Sequence, residues 1–165
     1  MLELFNTYRT DVQHIASVML ALAIWRWGGG PERWLIGLFV GTMVLPVYAF
    51  WFLDLGGPIK GPFAWLYLSL DLLAAVGFVV IAINANRIYP LWIAGFQLVA
   101  IGAHAIKGMV DGVSLLAISI LVVGPSYFQL LLIFAGFLRH WRRERRFGPY
   151  RDWRITPPDA PAFPS

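Results

Sequence analysis

One carboxylic acid, Asp71, lies inside a long run of uncharged and mostly apolar residues, 61–86. An aspartate at the centre of a membrane-spanning helix costs about 2.5–3.5 kcal/mol, so such residues face the protein interior and are often functional. The residues at helical spacing around Asp71 are mostly small, which favours packing of this face against other helices. We therefore predict that Asp71 is buried in a helix bundle, with a functional or a structural role.

Gln97 is the side chain expected to contact Asp71. At about 1.5 Å of rise per residue, Asp71 lies about 16 Å along the helix from Lys60, and Gln97 lies about 15 Å from Lys107. The short connection at 84–87 makes the two helices neighbours, which places both side chains at the same depth. Because lipid favours the uncharged form of an acid, we expect Asp71 to be neutral and to donate a hydrogen bond to Gln97.

His104 and Tyr67 are the other candidate members of this site. His104 lies only about 4.5 Å from Lys107, which predicts that it is too shallow to contact Asp71 directly. Tyr67 lies at an intermediate depth, one helical turn from Asp71. The candidate proton or ligand site therefore comprises Asp71, Gln97, Tyr67 and His104.

Long apolar runs must position these residues. The chain has 165 residues, of which 59% are hydrophobic and 13% charged, against about 25% charged in a soluble domain. Its charged residues separate runs that can cross a hydrocarbon core of about 30 Å. We predict an all-α, polytopic membrane helix bundle over 1–140 with five transmembrane helices, at 8–27, 34–53, 61–84, 88–107 and 113–138.

The first of these runs is the shortest. A cleaved signal peptide is a competing interpretation, which we disfavour because only one basic residue, Arg9, precedes the run and no polar mature start follows it.

The basic residues predict the orientation of the bundle. A cytoplasmic C-terminus leaves Arg9, Lys60 and Lys107 outside and places the other ten of the 13 Lys and Arg residues inside. Trp residues also cluster near both predicted interfaces, as expected for the aromatic belts of membrane proteins. We expect a multi-pass protein with its N-terminus outside. Its arginine-rich composition favours a bacterial inner (plasma) membrane.

Polar residues are distributed unevenly along the runs. The predicted outer halves carry Asp71 and other polar side chains, whereas the inner stretches 35–41, 72–83 and 130–138 are almost entirely apolar. This asymmetry predicts a small polar pocket that opens outward and is closed toward the cytoplasm by an apolar plug. A continuous aqueous pore would need polar lining on both sides.

Two prolines interrupt the predicted helices. Pro46 and Pro125 each lack the backbone N–H that a helix interior requires, so the carbonyls of Thr42 and Leu121 need other partners in lipid. We therefore predict a helix kink at each proline.

The tail, 141–165, divides into a basic aromatic stretch and a proline-rich end, and it is predicted to be largely disordered. The basic stretch is most simply an orientation signal that attracts anionic lipid head groups. Contact with nucleic acid is not expected, because nothing beyond charge indicates it. The residues expected to contact the head groups are Arg142, Arg143, Arg145 and Arg146.

Catalytic and cofactor motifs are missing from the sequence, which has no cysteine, no metal-binding H-E-x-x-H, no G-x-S-x-G and no phosphate-binding glycine loop. We predict no enzyme activity, no metal and no cofactor. The favoured function is that of a small accessory or structural subunit, which packs in the bilayer against other membrane-protein subunits or further copies of itself. The alternative is a ligand-binding or transport-related protein that uses an outward-facing polar pocket around Asp71.

Overall fold

The computed structural model describes residues 2–53, 64–109, 115–148 and 151–154, and over these residues the chain is helical without a strand. The all-α prediction is therefore confirmed for the described part. The helices are α1 Leu2–Trp27, α2 Gly30–Phe39, α3 Leu45–Phe52, α4 Ala64–Asn84, α5 Tyr89–Met109 and α6 Leu115–Phe147. A π-helical turn, Val40–Val44, joins α2 to α3.

Three helical segments of the described chain are long and apolar enough to cross a membrane. They are Gly30–Phe52, Trp65–Asn84 and Tyr89–Ile106. Their positions agree with the predicted spans 34–53, 61–84 and 88–107, and they support a membrane protein. Of the other two predicted spans, 8–27 lies on α1, and the described part of 113–138, residues 115–138, lies on α6.

The core is an apolar layer to which every helix except α3 contributes. Small residues on α4 and α5, such as Ala74 and Ala94, let these helices approach closely. The layer contains Leu20, Ile24, Leu35, Ile36, Phe39, Ala74, Phe78, Ile81, Ala85, Ile93, Ala94, Ile133 and Phe137. On α4 it follows Asp71 and precedes the turn that carries Arg87. We name the two sides of the layer the Asp71 end and the Arg87 end.

Both prolines lie where the regular hydrogen-bond ladder changes or is interrupted. Pro46 is the second residue after the π-helical turn, and the wider turn rearranges the backbone bonds that proline cannot complete. Pro125 lies inside α6, and the adjacent Ser126 Oγ accepts a hydrogen bond of 2.9 Å from Gln13 Nε2 on α1. The interruption in α6 is therefore beside a polar contact between two helices.

The tail is more ordered than predicted. Helix α6 continues through Phe147 and ends at Gly148, whose φ of 77° is readily adopted only by glycine. The chain then returns to the bundle, where the Asn86 amide donates to the Asp152 carbonyl at 3.1 Å and the Arg154 amide donates to the Asn84 carbonyl at 2.8 Å.

Disorder was therefore the wrong prediction for 141–148 and 151–154. The basic residues extend a helix that the apolar part of α6 has already formed, so they do not have to nucleate one. The indole of Trp153 then packs against the core and holds the returning segment. Residues 155–165 lie outside the described chain.

Truncation of the tail should separate its two parts. A chain that ends at Ile155 should keep the stability of the full chain, because it retains the docked segment. A chain that ends at Gly148 should lose about 2 kcal/mol or more, because it loses the packing of Trp153 and the bonds of Asp152. Thermal unfolding in a mild detergent measures both. Equal stability of the two truncated chains would contradict the docking described above.

Candidate functional site

Asp71 belongs to a hydrogen-bonded network that joins α4, α5 and α6. Gln97 Nε2 donates to Asp71 Oδ1 at 3.0 Å and to the Asp71 carbonyl at 3.2 Å. Gln129 Nε2 donates to Gln97 Oε1 at 2.9 Å, and both glutamines are almost fully buried. The predicted contact between Asp71 and Gln97 is confirmed. We name Asp71, Gln97, His104 and Gln129 the Asp71 network.

The backbone sets the direction of this network. Gln129 Nε2 also donates to the Ile93 carbonyl at 3.2 Å, and a carbonyl can only accept. This bond fixes the amide orientation of Gln129, so Gln97 must accept from it and present its own NH₂ group to Asp71. Asp71 therefore accepts from Gln97, whereas we had predicted that it donates.

His104 contacts Asp71 directly, contrary to the prediction. Its Nε2 lies 3.1 Å from Asp71 Oδ2. The prediction compared depths along ideal parallel helices and ignored the length of the side chains, which bridge the difference in depth. Asp71 thus receives two nitrogen donors, from Gln97 and His104, an arrangement that suits a carboxylate acceptor.

Tyr67 lies beside this network without joining it in the described structure. Its hydroxyl is buried and has no hydrogen-bond partner among the described residues. Its ring packs against Phe50, with 5.4 Å between the ring centroids. A buried hydroxyl without a partner is costly, so Tyr67 offers an unused donor and acceptor one helical turn from Asp71.

A second polar cluster closes the opposite end of the bundle. Arg87, in the turn between α4 and α5, forms an ion pair with Glu32 at the start of α2, and its Nη2 donates to Asp152 Oδ1 at 2.5 Å. Glu32 is completely buried, and the Arg87 side chain is only 10% exposed. Asp152 Oδ2 also accepts from the Gly30 amide at 2.9 Å. We name Glu32, Arg87, His140 and Asp152 the Arg87 cluster.

Tyr89 supports the carboxylate of Glu32 in this cluster. Its hydroxyl donates to Glu32 Oε1 at 2.7 Å. The Tyr89 ring packs so closely over Gly136 that a Cβ there would lie 2.5 Å from the ring. Gly136 therefore lets the ring approach α6 and reach the carboxylate.

His140 joins the cluster to the end of α6. Arg87 Nη2 lies 3.1 Å from His140 Nδ1, and since a guanidinium can only donate, Nδ1 accepts and the ring carries its proton on Nε2. That nitrogen lies 3.4 Å from Glu144 Oε2. Burial lowers the pKa of His140, and the positive charge of Arg87 lowers it further. The uncharged ring therefore fits this position.

Neither the Arg87 cluster nor Gln129 was predicted from the sequence. Glu32 and Arg33 are adjacent and of opposite charge, which is typical of a solvated loop. A usable signal did exist for Gln129, a lone amide between apolar residues on a predicted span. Within the described chain, no group of three or more acidic or histidine side chains is arranged to hold a metal ion.

The arginines predicted to contact head groups lie on the last turns of α6. Arg142, Arg143, Arg145 and Arg146 are all exposed there. The guanidinium of Arg145 lies 4.0 Å from the ring centroid of Trp141, a cation–π contact that restricts its position.

The buried pair of Glu32 and Arg87 should dominate the stability of its end of the bundle. Replacement of Arg87 by Gln leaves the Glu32 charge buried without its cation, so we expect a loss of about 3–5 kcal/mol in the free energy of unfolding. The matched control is Arg139→Gln, which removes the same charge from an exposed position nearby and should change stability by less than about 0.5 kcal/mol.

A double-mutant cycle tests the coupling. The combined variant E32Q/R87Q should lose less than the sum of the two single variants, because Glu32 then carries no charge that the loss of Arg87 could leave unpaired. Strict additivity in unfolding experiments in detergent would show that the two side chains act independently.

Comparison with known proteins found no matching family model, no matching curated protein and no matching solved structure. The chemistry of the Asp71 network and the Arg87 cluster therefore carries the functional argument.

Proposed function

We propose that this chain is an integral membrane protein that binds a proton or a small cation at Asp71 and His104, as part of a ligand-binding or transport-related role. The observation that carries the proposal is the distance of 3.1 Å between His104 Nε2 and Asp71 Oδ2 within apolar helices. Ionisable groups at such depth are expensive and are functional by default.

The pair has the chemistry that such binding requires. A carboxylate and an imidazole can share or exchange a proton. The pair is not sealed, since the side chain of His104 is 30% exposed and that of Asp71 is 15% exposed. Departure of the imidazolium, or its deprotonation, would leave the Asp71 oxygens for a cation, and the free hydroxyl of Tyr67 could supply a further oxygen.

The core makes exchange one-sided. On α5, Gln97 belongs to the Asp71 network and Tyr89 contacts the Arg87 cluster, on opposite sides of the apolar layer. About 12 Å of helix separates these two residues. Phe78 and Ile133 are completely buried within that interval. Because these apolar side chains separate the Asp71 network from the Arg87 cluster, we expect a proton or cation to enter and leave at the Asp71 end only.

The proposed topology determines which side of the membrane the Asp71 end faces. We propose five spans, with α1 and α6 crossing the membrane beside the three segments described above. The Asp71 end then faces outward and the Arg87 end faces the cytoplasm, as in the bacterial inner membrane. The uneven distribution of Lys and Arg in the sequence supports this orientation.

The accessory-subunit hypothesis stays a prediction. It requires a partner on the exposed apolar faces of the helices, and lipid covers such faces equally well. The contact between Asp71 and His104 instead favours the binding role.

Reporter fusions test the topology. Fusions after Asp54 and after Val110 should report the outside, whereas fusions after Arg87 and at Ser165 should report the cytoplasm. A cytoplasmic location of both the N-terminus and the C-terminus would replace five spans by four and would mean that α1 does not cross.

Substitution of Asp71 tests the proposed site. In protein reconstituted into vesicles, a carboxyl absorption that changes with pH should be visible by infrared difference spectroscopy. It should disappear in Asp71→Asn and change in frequency in His104→Gln, because the carboxyl group loses its contact with the imidazole. The matched control is Asp11→Asn on the exposed face of α1, which should keep the signal assigned to Asp71.

The same vesicles test the one-sided exchange. They should hold an imposed pH gradient as long as vesicles without protein, because the apolar layer closes the Arg87 end. An Asp71→Asn variant that keeps the full titration of wild type, while remaining folded and abundant, would refute the site. Rapid collapse of the gradient only when Asp71 is present would replace a one-sided binding site by a proton pathway.

A further inference from the structure

A recess at the Arg87 end lies beside the Arg87 cluster, between the end of α1, the start of α2 and the last turns of α6. Its volume is about 340 Å³, which is within the range of small-molecule sites. The lining residues are Arg26, Trp27, Gly28, Arg33, Trp141, Glu144 and Arg145. Three guanidinium groups and two indole rings thus surround one space.

The three arginines of the recess are available for a ligand. In the described part of the chain, Arg26, Arg33 and Arg145 have no carboxylate partner. The one acidic side chain in the lining, Glu144, is directed to His140. The recess therefore has a surplus of positive charge that no described side chain neutralises.

Aromatic rings hold two of these guanidinium groups. Arg145 lies over the ring of Trp141 at 4.0 Å, and Arg26 lies 5.7 Å from the ring of Trp27. Such stacking leaves the edge of the guanidinium, with its N–H donors, free to bind an anion. Arginine donors arranged in this way match the oxygen atoms of a phosphate group.

The position of the recess in the chain indicates where such a phosphate comes from. Arg26 is the first charged residue after the apolar part of α1, and Arg33 is the last one before the apolar run of α2. Residues at such boundaries lie at the level of lipid head groups, and the indoles of Trp27 and Trp141 suit the same level.

We propose that this recess binds the phosphate of an anionic phosphate ester, either a lipid head group or a soluble phosphate. The site is distinct from the Asp71 network and does not depend on it. It also differs from the contact surface predicted from the basic tail, because Arg145 is the only member of that set in the lining. Charge, donor geometry and depth all lead to the same ligand chemistry.

Lipid titration of the purified full chain tests this site. In native mass spectrometry from nonionic detergent, phosphatidylglycerol should bind with one high-occupancy molecule per chain, at least ten times more tightly than phosphatidylcholine. The double variant R26Q/R33Q should weaken that binding at least tenfold, because two of the three donors are lost. The matched control R139Q/R154Q removes the same charge from two other exposed positions at the Arg87 end, outside the recess, and it should change the affinity less than twofold.

Competition with inorganic phosphate distinguishes the two sources. Displacement of phosphatidylglycerol by phosphate would show that the recess accepts the free anion, and resistance to displacement would show that it requires the lipid. Both results support a phosphate site. Equal losses in the two double variants, or equal binding of the zwitterionic lipid, would overturn the proposal. Thermal unfolding of each variant confirms that it is folded, as expected because Arg26 and Arg33 are exposed.

Discussion

The buried charge of Arg87 is the constraint on which one end of the bundle depends. A guanidinium enclosed by protein must have counter-charges, and here they come from Glu32 on α2 and Asp152 in the returning tail. Its five donors allow one side chain to bind partners in several directions, which lysine could not do with the same geometry. The position of Arg87 therefore determines how α2, the turn between α4 and α5, and the tail meet.

The features that could be predicted from the sequence are those that depend on regular helical periodicity. Charged residues bounded the apolar runs, so α4 and α5 were located to within a few residues. The contact between Asp71 and Gln97 followed from helical rise alone, because both side chains lie on neighbouring helices joined by a short turn. The same calculation wrongly predicted that His104 does not contact Asp71, because helical rise locates the backbone but takes no account of side-chain length. Depth along the helix axis is thus a better guide to neighbouring helices than to contacts between long side chains.

The features that could not be predicted from the sequence depend on ion pairs between residues far apart in the chain. Glu32 and Asp152 are far apart in the chain, and each has an oppositely charged neighbour, Arg33 or Arg151. Local charge balance made both look like surface residues, and only the fold shows that Arg87 binds them together. The order of the tail was missed for the same reason, because a composition that is too polar to form a core can still dock when another part of the fold supplies the cation.

The two polar clusters give the bundle a rigid end and a responsive end. At the Arg87 end, a short network around the Arg87 guanidinium joins α2, α6 and the tail, and loss of that guanidinium would leave the charge of Glu32 buried without a cation. At the Asp71 end, the bond between Asp71 and His104 joins only α4 and α5, and a change of protonation in either partner alters it directly. Gln97 and Gln129 connect Asp71 to α6 through hydrogen bonds whose direction is fixed by the Ile93 carbonyl. Since the apolar layer separates the ends, the proposed exchange of a proton or cation at Asp71 would alter helix contacts there, while the Arg87 cluster keeps the helices together.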